Sequence, residues 1–274
     1  MYTLTCLEVK LVVHKGSRPS FWVAVSREIK VGLDLEFLLG TLFEPLIYIL
    51  IFGPLMEELI GGVYVGGREI SYLAFIFPGI LTMVSINQGF RGAATFIQDR
   101  FYGGLETLFT LPVSRSVLFI AKIIGSCVRA LIAMIVLSIS AIILTRDVSL
   151  TLTGFLGGAL VNFTLVVMLS SVMIYLLSRS RNPNLPLAIS GMLVLPMVFL
   201  STVFYPESVF AGSRVLRVLV SVNPMTHASN LVRSFVYNMP VEPATLAVSL
   251  VYLLCLAFAG LLLGIRGFSR TLEG

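Results

Sequence analysis

Charged side chains are scarce in this chain, at 12% of 274 residues, against about 25% in an ordinary soluble domain. That shortage, with 57% hydrophobic residues and a mean hydropathy of +0.98, excludes a water-soluble globule. Cysteine is nearly absent: Cys6, Cys127 and Cys255 form no CxxC pair, which rules out a disulfide framework or a thiolate metal site. Only two histidines occur, His14 and His227, neither in an HExxH motif. Nor do the apolar stretches carry a serine–histidine or paired-aspartate arrangement for hydrolysis within the membrane. No lysine stands in a GxxxxGK[ST] context, so the glycine amides and lysine that cradle nucleotide phosphates are missing. The 19 Lys and Arg residues are dispersed between apolar runs, unlike the concentrated patch of a nucleic-acid binder.

What is abundant is long apolar sequence. A hydrocarbon core of about 30 Å takes roughly 20 helical residues, and six runs of that kind occur, at 37–56, 71–90, 116–144, 150–177, 185–204 and 244–265. The expected fold is an all-α polytopic membrane protein with six transmembrane helices. It reads as a single transmembrane domain over 1–274, with an N-terminal part at 1–36, a bundle at 37–265 and a tail at 266–274. Six spans place both termini on one side. Lys10, Lys15, Arg18, Arg27, Lys30, Arg91, Arg100, Arg115, Arg179, Arg181, Arg266 and Arg270 fall on that side. Basic residues beside span ends stay in the cytoplasm, so both termini are expected to be cytoplasmic, in a cytoplasmic (plasma) membrane. The opening residues have Glu8 and Lys10 within their weakly apolar part, which does not suit a cleaved signal.

Ahead of the first span, SFWVAVSREIKVGL (20–33) puts Trp22, Val25, Ile29 and Leu33 at helical spacing, with Ser26, Arg27 and Lys30 on the other side. Such a helix is expected to lie in the membrane interface with Trp22 at headgroup depth, or to pack on the adjacent loops. In the fifth run Pro196 is central and should kink the helix, whereas Pro186 sits harmlessly near its start. Gly260 and Gly264, with Ala257, give the last run a face for close packing.

Between the second and third runs lies QDRFYGGLETLFTLPVSR (98–115). Leu105, Leu108 and Phe109 share a helical face, Glu106, Thr107 and Thr110 take the other, and Pro112 ends the pattern. One or two turns of helix are too short to stand alone. This segment, through Gly104, Leu105, Glu106, Leu108, Pro112, Val113, Ser114, Arg115 and Lys122, resembles the hallmark stretch of type-2 ABC transporter permeases, the integral membrane subunits of ABC exporters. It departs from that pattern in Leu105 directly after Gly104, in Leu111, and in Gln98-Asp99. A second likeness lies at 204–233, where Asn223, Pro224, Thr226 and Arg233 match the family's external segment after the fifth span, with Met225 in place of leucine.

The resemblance implies that 98–115 holds a coupling helix docking on a separate nucleotide-binding ATPase, through Arg100, Leu105, Glu106, Leu108, Phe109 and Pro112. ATP and Mg would be bound by that partner and not by this chain. It also implies a second copy of the chain or a sister permease, and an external re-entrant helical segment after span five. The cargo expected from the Phe-, Leu-, Met- and Ile-rich spans is hydrophobic, drug-like or lipid-like, with a lipid-linked polysaccharide as the alternative. The rival class, a gradient-driven transporter, would show inverted halves with matching broken helices, and no internal symmetry is visible.

Ionisable residues at membrane depth are costly and usually paired or functional. Glu44, Lys122 and Arg129 are of this kind, and Asn87, Gln88 and Asn162 are polar candidates beside them. Two arrangements suit the first pair: a buried Glu44–Lys122 bridge with Arg129 facing a polar cavity, or Lys122 reaching back to the headgroups beside a protonated Glu44. The three amides either line a translocation path or bond across helices.

Overall fold

A computed structural model describes residues 20–32, 35–65, 67–101, 115–144, 150–178, 180, 182, 184–237 and 242–270. Helix α1 (Ser20–Gly32) precedes a first apolar rod made of α2 (Leu35–Ile47), a π turn (Tyr48–Phe52) and α3 (Gly53–Ile60). A two-stranded antiparallel hairpin, β1 (Val63–Val65) with β2 (Arg68–Ile70), leads into α4 (Tyr72–Phe101). Then come α5 (Arg115–Leu144), α6 (Leu152–Leu177) and α7 (Leu185–Phe199). A 3₁₀ turn (Glu207–Phe210), α8 (Arg214–Val222), α9 (Pro224–Tyr237) and α10 (Pro243–Arg270) complete the chain.

Five of these segments are long and apolar enough to cross a membrane: Leu39–Ile60, Tyr72–Phe101, Ser116–Ile143, Leu152–Leu177 and Pro243–Phe268. The fifth expected span is different. Helix α7 has 15 residues, which at 1.5 Å per residue reach about 22 Å, short of a full crossing. It stops at Phe199, three residues past Pro196, so the proline lies in the last turn and not at a mid-helix kink. The second span runs the other way, eleven residues past the expected limit at 90. Its polar continuation, Arg91 to Phe101, stays helical because it packs on neighbouring helices.

Helix α4 is the buried centre, with α5, α6, α7 and α9 around it, while α10 lies mainly against α6. Small residues make those contacts possible. A Cβ on Gly264 would lie 2.7 Å from Phe119 and 2.9 Å from the Ser171 carbonyl oxygen, so α10 approaches α6 backbone to side chain, on the expected small-residue face. At one end of the bundle Arg100 Nη1 donates to the carbonyl oxygens of Ser178 (2.6 Å) and Ser180 (3.4 Å), joining the end of α4 to the end of α6. At the other end the Tyr72 hydroxyl donates to Phe204 O (3.2 Å), below the hairpin.

Candidate functional site: a buried charge cluster between α1 and the second and third spans

Helix α1 packs along α5, and its buried stripe is Val25 and Glu28, at i and i+3. Trp22, one turn before Val25, is 60% exposed. The close approach is set by Gly125 of α5, where a Cβ would come within 2.5 Å of Glu28 Cβ. Glu28 is thereby carried against two cations of the third span. Lys122 Nζ donates to Glu28 Oε1 at 3.1 Å and to Asp99 Oδ2, near the end of α4, at 2.6 Å. Arg27, next to Glu28, spans the same carboxylate, with Nη2 to Asp99 Oδ1 at 2.8 Å and Nη1 to Asp99 Oδ2 at 3.0 Å. Arg129 closes the group: Nη1 donates to the backbone oxygen of Glu28 (3.1 Å) and Nη2 to Ser126 Oγ (2.8 Å).

Three cations and two carboxylates are thus shared among three helices. An ion removed from water costs several kcal/mol unless partners surround it. Here each carboxylate meets at least two donors, which is how a lysine and an arginine can be almost wholly buried (3% and 2% exposed) in so apolar a chain.

The expected Glu44–Lys122 bridge does not form. The partners of Lys122 are Glu28 and Asp99, whereas Glu44 is exposed on α2, near enough to Arg91 for the two charges to interact. Arg129 likewise faces α1 and not an open cavity. Of the amides, Gln88 Nε2 bonds across to Thr41 Oγ1 at 3.2 Å, and Asn87 is half-buried on the same helix. Asn162 is fully buried in α6, and neither atom of its side-chain amide meets a partner among the described residues, so it makes no bond across helices there.

Arg100 is engaged by the carbonyls of Ser178 and Ser180. The other residues of the expected coupling helix, Leu105, Glu106, Leu108, Phe109 and Pro112, lie outside the described residues. The charge cluster sits on the two helices that flank that segment.

At the opposite end, Asn223 joins two helices. Its Nδ2 donates to Met197 O and Leu200 O (both 2.7 Å) at the end of α7, and its Oδ1 accepts from Met225 N (2.9 Å) at the start of α9. Pro224 is the first residue of α9, where its missing N–H costs nothing. Arg233, buried, donates from Nε and Nη2 to Phe75 O (3.3 and 3.1 Å), from Nη2 to Thr202 O (2.9 Å) and from Nη1 to Asn230 Oδ1 (2.9 Å). Its guanidinium stacks on the Phe75 ring at 4.2 Å.

Sequence comparison bears directly on this arrangement. A family model described as ABC-2 type transporter matches residues 19–237, from the start of α1 to the end of α9. The chain belongs to the ABC-2 type transporter family. Among its relatives, "Putative transport permease ycf38" of Porphyra purpurea is 26% identical over 208 residues, which cover 73% of this chain and 67% of that protein. A protein of the same name from Pyropia yezoensis is 24% identical over 204 residues, covering 70% and 64%. The chain spans about two thirds of the length of these relatives. It is a membrane transport permease of a family whose members ordinarily work with an ATP-binding subunit. Glu28 and Asp99, the carboxylates of the cluster, were not singled out from sequence. The available signal was a single acid on an otherwise basic and apolar helix.

Proposed function

We propose that this chain is the membrane-spanning subunit of an ATP-driven exporter, moving a hydrophobic drug-like or lipid-like substrate across the cytoplasmic membrane by alternating access. A separate ATPase subunit binds ATP and Mg and docks on the coupling segment within 98–115, through Arg100, Leu105, Glu106, Leu108, Phe109 and Pro112. Both termini are cytoplasmic, which puts the charge cluster on the cytoplasmic side and the hairpin outside. Helix α7 is the fifth crossing, and the residues after it, through α8 and α9, form the external re-entrant segment. The chain itself does no chemistry on ATP.

The observation that carries this reading is the charge cluster. It ties α1 to the last turns of α4 and the first turns of α5, the two helices that enter and leave 102–114. A force applied to that segment is therefore shared by three helices held by ion pairs. Helices α4 and α5, at 30 residues each, are about 45 Å long, so they project beyond the hydrocarbon and can act as levers. Closure of two ATPases would draw two coupling helices together and turn the cavity between two permease copies outward, and hydrolysis would reset it. A second copy is supported by Glu44, whose exposed carboxylate on an apolar span would be costly against lipid.

Co-purification tests the proposal. The tagged chain, gently extracted from its own membrane, should bring a P-loop ATPase with it, and Leu108→Glu should lose that partner while remaining folded. Recovery of no ATPase with the unaltered chain would point to gradient-driven transport instead.

A further inference from the structure

At the hairpin end a cavity of about 400 Å³ opens between β1, the 3₁₀ turn, α9 and the first turns of α10. It is separate from the charge cluster and lies within one copy of the chain. Its depth follows from its walls. Phe75 is in the first turn of α4, and Thr245 and Ser249 are in the first two turns of α10, so the cavity sits where these apolar helices begin. Granted the topology proposed above, that is the outer headgroup level.

Two of its lining residues are charged, and the charges are of opposite sign and differently placed. Arg233 is buried, and its four hydrogen bonds go to oxygens of Phe75, Thr202 and Asn230, all neutral. A guanidinium has five N–H groups, so one Nη1–H remains, and among the described residues the cation has no anion in contact. Glu207 is exposed at the rim. Its Oε1 accepts from Asn230 Nδ2 at 3.0 Å, and Oε2 is left for another donor. The Asn230 amide is therefore the spacer between the two charges, since its Oδ1 holds Arg233 and its Nδ2 holds Glu207. Leu231, Leu246 and Val65 supply an apolar wall beside them.

A purely anionic ligand would be repelled by Glu207 and a purely cationic one by Arg233. The fixed spacing suits one molecule carrying both charges a few ångströms apart. We infer that this cavity binds a zwitterionic phosphoethanolamine group, its phosphate toward Arg233 and its ammonium toward Glu207, most simply as the headgroup of phosphatidylethanolamine from the surrounding leaflet. The primary ammonium matters, because it has N–H donors for Glu207 Oε2 that a choline lacks.

The purified full-length chain in detergent is titrated with dihexanoyl phosphatidylethanolamine, phosphatidylcholine and phosphatidylglycerol, and with free phosphoethanolamine. Binding is read from the rise in unfolding temperature with concentration. The ethanolamine lipid should bind about tenfold more tightly than the other two, as expected for one charge-assisted hydrogen bond. Glu207→Gln should abolish that preference, and Thr245→Trp, which fills the mouth, should abolish binding. If free phosphoethanolamine binds as tightly as the lipid, the zwitterion site stands and its natural source is soluble. Equal affinity for the three lipids, or a preference that survives Glu207→Gln, overturns the inference. These readings need no ATPase, so they stand or fall apart from the co-purification result.

Discussion

Lys122 of the third span and Glu28 of the N-terminal helix, 94 positions apart in sequence, meet at 3.1 Å in a setting almost closed to solvent. Breaking a buried pair from one side leaves an uncompensated charge and costs about 3–5 kcal/mol. Lys122→Glu and Glu28→Lys should each lower the yield of folded protein and its unfolding temperature in detergent, and the double swap should recover part of both. Coupling of more than about 0.5 kcal/mol in that cycle would establish the contact. Strict additivity would refute it. The same swap between Glu44 and Lys122 should give no rescue.

Gly264→Ala places a methyl group 2.7 Å from the Phe119 ring and 2.9 Å from a backbone oxygen of α6. The ring can turn and the carbonyl cannot, so the helices must part. Overpacking of this kind costs about 1–3 kcal/mol, to be read as a lower unfolding temperature. Gly191→Ala, with open space around its Cβ, should be neutral by comparison.

Asn223 serves both ends of a junction, so its variants separate its two roles. Asn223→Asp keeps the acceptor for Met225 N and loses both donors to α7, whereas Asn223→Ala loses all three bonds. Loss of a helix cap costs about 1 kcal/mol. Against that, Asn223→Asp turns an oxygen toward the Met197 and Leu200 carbonyl oxygens, where the amide nitrogen lay 2.7 Å from each, and this repulsion should make the aspartate variant the less stable of the two in thermal unfolding.

Asn162→Leu should stabilise the chain. A buried amide without a partner costs about 1–3 kcal/mol, and leucine has a similar shape without polar atoms. A raised unfolding temperature is expected, and a lowered one would mean that the amide is bonded by a group outside the described residues.

Much of the fold was legible because membrane spans are written in hydropathy alone. The third run, 116–144, falls within α5 (Arg115–Leu144), since Arg115 and Arg146 bound the apolar window. The second was underestimated by its tail, because Arg91, Gln98, Asp99 and Arg100 end an apolar window without ending a helix. The hairpin was missed although VYVGGREI alternates around a Gly-Gly pair, a recognised hairpin pattern in sequence. The charge cluster was half legible: the cost of burying Lys122 announced that it needed a carboxylate. Which carboxylate was not legible, since that depends on how α1 turns as it docks. A modest rotation of α1 decides whether Glu28 joins Val25 on the packed face.

The π turn in the first span has a consequence for register. Gly53 N donates to Tyr48 O, five residues back, so one residue beyond the α-helical count is stored between α2 and α3. One residue corresponds to about 100° of rotation. The half of the rod bearing Glu44 and the half ending at Ile60 can therefore take their facing directions separately, like two keys on one shaft. Deleting a single residue between Tyr48 and Phe52 would remove that stored residue and join α2 to α3 as one regular helix, with Glu44 and Gly53–Ile60 keeping nearly the faces they have.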